Sequence, residues 1–227
     1  MNLFAYLQDP DTWYGPGQTL ELLLQHLGYT AAAVGIAAVI GIPLGLLLGH
    51  TRRAAHVVAA LRNGTRALPA LGLLVLVALA LGSGFAAILV VLTVVAFLVI
   101  VAATATGVLG ADGEAVHSAR ALGLSELQIT TQIEWPLALP MAIAGLRNAT
   151  VQVIAMVTIA AFVGGGGLGR LLVDGRENGN DAQLFAGVFL VAVVAIVAYL
   201  LFSLLVWRVA RHASPGRTTV PSYAAAA

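Results

Sequence analysis

The side chains that could carry out chemistry are few and widely spaced. His26, His50, His56 and His212 show no spacing typical of a metal site, and the chain has no cysteine. All eleven residues that are lysine or arginine are arginine. A nucleotide-binding P-loop requires a lysine, so this chain cannot hydrolyse ATP by that route. We therefore expect no catalytic residue, no metal and no cofactor.

One glycine cluster and one polar stripe are the remaining candidates for a site. The glycines cannot form a nucleotide loop without a lysine, so they predict a flexible turn; they are Gly164, Gly165, Gly166, Gly167 and Gly169. Asn148, Gln152 and Met156 recur at a spacing of four, which places them on one face of a helix. The stripe is compatible with lining a solute pathway and equally with hydrogen bonds between helices.

The composition indicates that a lipid bilayer surrounds most of the chain. Hydrophobic residues make up 60% of the 227 residues and charged residues only 9%. A soluble domain carries roughly 25% charged residues, and a chain with so few charges cannot cover a globular surface with them. We therefore expect an all-α integral membrane protein.

Five apolar stretches are long enough to cross a membrane, which takes about 20 residues. Residues 67–111 contain no charged side chain. As one helix this run would reach about 68 Å, roughly twice the hydrocarbon thickness, so it must fold back. Gly82-Ser83-Gly84 is the natural hinge. The predicted spans are about 24–49, 58–81, 85–109, 141–163 and 183–207.

The arginines predict the orientation, because inner loops of membrane proteins are enriched in basic residues. With the N-terminus outside and the C-terminus inside, eight arginines lie on the inner side and two on the outer side, leaving Arg147 aside. The inner ones are Arg52, Arg53, Arg62, Arg66, Arg120, Arg208, Arg211 and Arg217, and the outer ones are Arg170 and Arg176. The glycine cluster is then expected at the outer mouth of the bundle.

One connection on the inner side is long, from 110 to 140. It is compatible with two short helices bent around Gly123. Ser125 can cap the second helix, with Gln128 at the capping-box position. Such a pair would project from the membrane as a compact knob, and an ordinary interfacial hairpin is the alternative.

The same segment resembles the cytoplasmic motif of permease subunits of ATP-binding-cassette importers. The family pattern is Glu-Ala-Ala, three residues, Gly, nine residues, Ile, one residue, then Leu-Pro. Here His117-Ser118-Ala119 is followed at those spacings by Gly123, Ile133 and Trp135-Pro136. His117 stands where the family usually has glutamate, which puts the polar detail of docking in doubt. Glu114, one turn upstream, is a candidate substitute.

The resemblance implies the fold of type I importer permeases, such as the methionine permease, and a coupling helix around 122–128 that docks in a separate ATPase subunit. The ATPase-coupling residues it implies are His117, Ala119, Gly123, Leu124, Ser125, Glu126, Leu127, Ile133 and Pro136. It also implies an extracytoplasmic substrate-binding protein and a second copy or similar permease as partners. The protein would lie in the bacterial inner membrane, bind no nucleic acid, and leave ATP hydrolysis to its partner, so it is not expected to be an enzyme.

Further segments resemble the permeases of osmoprotectants, which import glycine betaine, choline and carnitine. These segments are Gly41-Ile42-Pro43-Leu44-Gly45, Leu68-Pro69-Ala70-Leu71, Leu137-Ala138-Leu139-Pro140 with Gly145-Leu146-Arg147, and the glycine cluster. Methionine permeases share the cluster and the size, so a permease of a methionine or other small-solute importer is the alternative. Gly41, Gly45 and Gly49 also form a face of small residues that predicts close helix packing.

The predicted organisation has three parts. Residues 1–20 form an extracytoplasmic interfacial lead-in, which lacks the basic start of a signal peptide and is expected to be retained. Residues 21–210 form the transmembrane permease domain, and residues 211–227 a cytoplasmic tail predicted to be disordered. A secondary transporter or channel would need acidic residues within the spans, and a membrane enzyme would need a His/Glu or Ser/Asp set there. Neither is present.

Overall fold

The computed structural model describes residues 3–15, 17–52, 56–60, 69–82 and 84–213, and helices dominate all of it. In chain order they are α1 (Leu3–Gln8), α2 (Thr19–His50), α3 (Ala70–Leu81), α4 (Phe85–Leu109), α5 (Gly113–Ala121), α6 (Glu126–Ile129), α7 (Trp135–Ala160), α8 (Gly169–Glu177) and α9 (Asp181–Ala213). Residues 56–60 are also helical. The described ranges contain no strand, in agreement with the predicted all-α class.

Four stretches of the described chain are long and apolar enough to cross a membrane: Thr19–His50, Phe85–Leu109, Glu126–Val163 and Asp181–Arg211. The predicted second span, 58–81, overlaps α3 in its latter half, while residues 61–68 lie outside the described residues. The predicted hinge begins at Gly82, whose φ of 88° is a conformation that favours glycine; Ser83 also lies outside the described residues. The chain is therefore a multi-pass membrane protein.

Helix α4 is the centre of the bundle, because α2 and α7 both pack along it. The residues they bury together are apolar, and many are alanine or valine, which let the helices approach closely. Members of this shared core include Ala33, Ala37, Val91, Leu92, Ala96, Ile100, Val153 and Val157.

The predicted small-residue face of α2, which starts at Gly41, lies directly against α4. A Cβ atom built on Gly45 would lie 2.7 Å from Thr104 Cβ. One built on Gly49 would lie 2.5 Å from Val108 Cβ. Only glycine permits this approach, so the prediction of close packing is confirmed.

Helix α7 begins at Trp135, not near residue 141, so this predicted boundary is wrong. A π-helical turn, Thr130–Glu134, joins α6 to α7, and the Trp135 N–H donates to the carbonyl of Thr130. The wider turn carries the chain past Pro136, which lies in the first turn of α7 where its missing N–H is least costly. From Glu126 onward, the predicted coupling segment therefore runs without a break into a membrane helix.

The predicted outer loop, 164–183, contains α8, which the sequence interpretation missed. Its charged composition is typical of a loop, and the i,i+4 ion pair between Arg170 and Asp174, at 2.6 Å, is a local signal of a helix. Tertiary packing supplies the rest, because Leu171 is buried with Leu168 and Leu22. A helix this short depends on such burial.

The helix bounds near the two ends of the chain also differ from the predicted ones. Tyr6 of α1 is buried against Ala182 and Ala186 of α9, so the lead-in is fixed to the start of the last span. Helix α2 begins at Thr19 rather than near 24, and α9 extends to Ala213 rather than ending near 207. Of the predicted tail, residues 214–227 lie outside the described residues.

Candidate functional site

The connection between α4 and α7 forms a knob with a sharp turn in its middle. Helix α5 ends next to Gly123, which has a φ of 85°. Helix α6 then begins with a complete capping box, in which Ser125 and Gln128 bond each other's backbone N–H groups. These are the turn and the cap that the sequence predicts. The two helices hold a fixed angle because both the bend and the new helix start are specified locally.

A small apolar cluster holds the knob together from inside. Val116, Ala119 and Ile129 are buried in it, and Leu124 and Ile133 pack against it. Three of the residues predicted to couple to an ATPase, Ala119, Leu124 and Ile133, are therefore internal supports. Ala119 is buried inside the knob, and Leu124 and Ile133 are half-buried against it.

The outer surface of the knob carries two leucines that no part of the described chain covers. Leu122 is 81% exposed and Leu127 is 74% exposed, on either side of the Gly123 turn. His117 and Pro136, both predicted to take part in coupling, are exposed as well. Two large apolar side chains at the tip of a rigid projection are typical of a docking surface.

The knob is tied to the end of α2 by a chain of charged groups that sequence reasoning missed. Arg120 donates to both carboxylate oxygens of Glu126, at 2.8 and 2.9 Å, and this pairing raises the pKa of Arg120. His50, the last residue of α2, contacts Glu126 with Nε2 at 3.2 Å and Glu134 with Nδ1 at 2.7 Å. Glu134 is fully buried at the π-helical turn. The 84 residues that separate Glu134 from His50 leave no signal of this contact in the sequence.

The positive φ of Gly123 leads to a prediction about the stiffness of the knob. A Cβ at this position would meet nothing within 4 Å, so the cost of a substitution lies in the backbone alone. Gly123→Val should cost about 1–2 kcal/mol locally and raise amide hydrogen exchange across α6 by roughly tenfold. Gly123→Asn should stay close to the wild type, because asparagine tolerates this conformation. Equal exchange in both variants would contradict the proposed role of the turn.

The predicted polar stripe on α7 is only partly at a surface. Asn148 is exposed and Gln152 is half-buried, so both stay candidates for lining a pathway. Met156 lies in the core shared by α2, α4 and α7, and its placement on the same accessible stripe is wrong. Met156 is buried because α2 and α4 pack against α7 at this level of the bundle. Neighbouring Arg147 donates to Ser203 Oγ of α9 at 3.1 Å.

The glycine cluster is a close-packed loop, which contradicts the expected flexible turn. Gly164 ends the helical turn after α7 with a φ of 85°, and Gly165, Gly167 and Gly169 are buried. The Gly167 N–H donates to Gln25 Oε1 of α2 at 3.3 Å. The glycines are needed because the loop backbone presses against neighbouring helices. A Cβ on Gly165, for example, would lie 2.7 Å from a backbone carbonyl oxygen of α7.

A cavity of about 440 Å³ opens beside this loop, lined by Gln25, Gly28, Tyr29, Phe85 and Gly166. The rings of Tyr29 and Phe85 lie 4.8 Å apart, centroid to centroid. Tertiary packing thus brings together two aromatic residues that are distant in the sequence. The cavity lies at the end of the bundle opposite the knob, since α2 runs from Gln25 to His50 without a break.

Among the described residues, no group of three or more His, Cys, Asp or Glu side chains is arranged to hold a metal ion. His50, Glu126 and Glu134 do meet, but each glutamate takes a different ring nitrogen. The arrangement therefore links helices by hydrogen bonds and charge. These contacts connect the knob to α2, a membrane helix.

Known proteins resemble this chain over most of its length. Residues 41–217 match the family described as binding-protein-dependent transport system inner membrane component. The chain is 34% identical over 195 residues to the glycine betaine/carnitine/choline transport system permease protein OpuCD of Bacillus subtilis (strain 168), covering 85% of each protein. It is 37% identical over 180 residues to the carnitine transport permease protein OpuCD of Listeria monocytogenes serotype 1/2a (strain 10403S), covering 79% of this chain and 81% of the relative.

A solved structure shares the fold. It is a chain of the MetNI methionine ABC transporter in an inward-facing conformation, with a TM-score of 0.73 at 24% sequence identity, covering 84% of this chain and 95% of that one. The helical bundle, the membrane-spanning stretches and the family match agree with one another. The chain belongs to the inner-membrane components of binding-protein-dependent transport systems.

Proposed function

We propose that this protein is the membrane-spanning permease of an ATP-driven importer of quaternary ammonium osmoprotectants, with glycine betaine, choline and carnitine as its solutes. The observation that carries the proposal is the 34% identity, over 85% of the chain, to a permease named for those three solutes. The family is one of transport components, and the permease itself performs no bond chemistry. ATP would be hydrolysed by a partner subunit.

The knob supports the proposal because it has the properties of a lever. Its bend is set by Gly123, its second helix is capped by Ser125, and that helix continues into α7. A force applied at exposed Leu127 would pass along a continuous helix into the bundle core. Docking in an ATPase subunit would thus convert closure of two ATPase subunits into a change from inward- to outward-facing helices.

The other predicted sites belong to the same proposal. The glycine cluster and the adjoining cavity would form the outer mouth, where an extracytoplasmic binding protein delivers the solute. Tyr29 and Phe85 give that cavity aromatic surface, which favours quaternary ammonium groups through cation–π attraction. Asn148 and Gln152 are proposed to line the pathway farther in.

A second permease, identical or similar, is the remaining proposed partner, and the surface of the bundle supports it. Of the most apolar part of α9, only 6% is buried within the single chain. An apolar groove of about 690 Å³ also runs between α2, α7 and α9. Lipid and a second permease together would cover these surfaces.

Uptake into proteoliposomes tests the proposal directly. The complex would be assembled with its ATPase and binding protein, with ATP inside, and offered labelled glycine betaine, choline, carnitine and methionine. We expect ATP-dependent uptake of at least one quaternary ammonium solute and none of methionine. Uptake of methionine alone would replace the solute class, and flux without ATP would favour a channel or secondary transporter.

A further inference from the structure

His50 lies between two carboxylates, and each of its ring nitrogens contacts a different one. Nδ1 lies 2.7 Å from Glu134 Oε2, and Nε2 lies 3.2 Å from Glu126 Oε2. The Thr130 hydroxyl lies 3.1 Å from Nδ1 and 3.3 Å from Glu134 Oε2, which closes the group. The three elements that meet here are α2, the coupling helix α6 and the π-helical turn that starts the path into α7.

This arrangement requires one proton more than a neutral histidine supplies. A neutral imidazole has one N–H and one lone pair. With both glutamates ionised, the lone pair would face a carboxylate oxygen in one of the two contacts, which is repulsive. One added proton makes both contacts attractive, whether it protonates the ring or makes Glu134 a carboxylic acid that donates to Nδ1.

The burial of Glu134 strengthens the need for an added proton. The side chain of Glu134 is only 1% exposed, and its other oxygen, Oε1, has no hydrogen-bond partner. An ionised carboxylate with an unpaired oxygen is costly in such a place unless a cation or proton compensates. The charged groups around His50 in the described part of the chain are Glu126, Glu134 and, through Glu126, Arg120. Arg52, two residues on, donates to the carbonyl of Ala111 instead.

We propose that His50 is a positioning residue for coupling, and that the proton shared by His50 and Glu134 fixes the coupling helix to the inner end of α2. With the proton in place, His50 holds Glu126, and Glu126 holds Arg120 at the end of α5. Loss of the proton turns one contact repulsive and releases α6 from α2. The inference rests on the proposed function, since coupling requires an ATP-driven permease.

The number of solute molecules moved per ATP hydrolysed is the first measurement, taken at about pH 6 and about pH 9. In the wild-type complex the ratio should fall several-fold at the higher pH. His50→Ala should lower it several-fold at both values, because it removes the contacts of His50 with buried Glu134 and with half-exposed Glu126. Glu134→Gln should keep it high and independent of pH, because the amide donates to Nδ1 without an added proton.

His56→Ala is the matched control, since His56 is exposed on the same side of the bundle and outside the group. Its ratio of solute moved to ATP hydrolysed should equal that of the wild type at both pH values. Three results would each overturn the proposal. The first is a wild-type transport-to-ATP ratio that does not change with pH, and the second is a Glu134→Gln ratio that falls with pH as the wild-type ratio does. The third is a His50→Ala ratio as high as that of the wild type.

Amide hydrogen exchange of the same complexes provides a readout that does not depend on transport. His50→Ala should raise exchange across Glu126–Ile129 about tenfold at a single pH, while Glu134→Gln and His56→Ala should leave it unchanged. Absence of ATP-driven uptake in the wild type would refute the proposed function and leave the exchange result to decide the link. Unchanged exchange in His50→Ala would refute the link even in a complex that transports normally.

Discussion

Replacing Leu127 with aspartate is expected to reduce ATP-driven uptake about a hundredfold, while the protein inserts and folds as before. Leu127 is 74% exposed at the tip of α6 and takes no part in the buried cluster that holds the knob together. Its loss therefore costs the chain itself little. In a complex, the carboxylate would be forced into an apolar groove without a partner, which strongly weakens docking.

The effect should appear as a loss of stimulated ATP hydrolysis and of uptake together, with normal yield and thermal stability of the isolated permease. Gln132→Asp is the matched control: it introduces the same charge at an exposed position of the same segment, outside the predicted coupling residues. It should transport at a rate close to that of the wild type. If Leu127→Asp also transported normally, α6 could not be the coupling helix.

Two glycines of the same helix should respond in opposite directions to the same substitution. A Cβ on Gly45 would lie 2.7 Å from Thr104 Cβ and 2.9 Å from the backbone carbonyl oxygen of Val101. The backbone of α4 cannot withdraw without separating the bundle, so Gly45→Ala should destabilise the protein by about 2–3 kcal/mol. A Cβ on Gly35 would meet nothing within 4 Å, so Gly35→Ala should gain about 0.5–1 kcal/mol from helix propensity.

Thermal unfolding of the detergent-solubilised protein, followed by the loss of its monodisperse elution peak, measures both effects. The midpoint should fall for Gly45→Ala and rise slightly for Gly35→Ala. Similar midpoints in the two variants would mean that α2 and α4 do not approach as closely as the structure shows. Because neither glycine belongs to the coupling segment, the comparison is independent of the transport mechanism.

The sequence located the knob correctly because its determinants are local. A left-handed glycine and a capping box need only neighbouring residues, so Gly123, Ser125 and Gln128 could be read directly. The start of α7 could not be read in this way. The sequence interpretation ended the connection at Pro140, whereas the π-helical turn before Trp135 lets the helix continue.

The glycine cluster shows the opposite case, in which the local interpretation was wrong. Consecutive glycines favour a flexible chain when they are solvated. Here Gly167 is buried and bonded to Gln25, 142 residues earlier in the chain. The close packing of this loop requires the small size of glycine rather than its conformational freedom.

Composition and periodicity by themselves determined that this protein is a helical membrane protein and where most of its long apolar helices lie, and local signals determined which segment forms the knob. Each of these depends on interactions between the chain and its solvent or between near neighbours. Only the tertiary structure decided which side chains of the knob face outward, that Met156 is buried, and that His50 meets Glu126 and Glu134. Those outcomes depend on how helices distant in sequence pack side by side, and a polar contact between them leaves no periodic signal because each partner occurs only once.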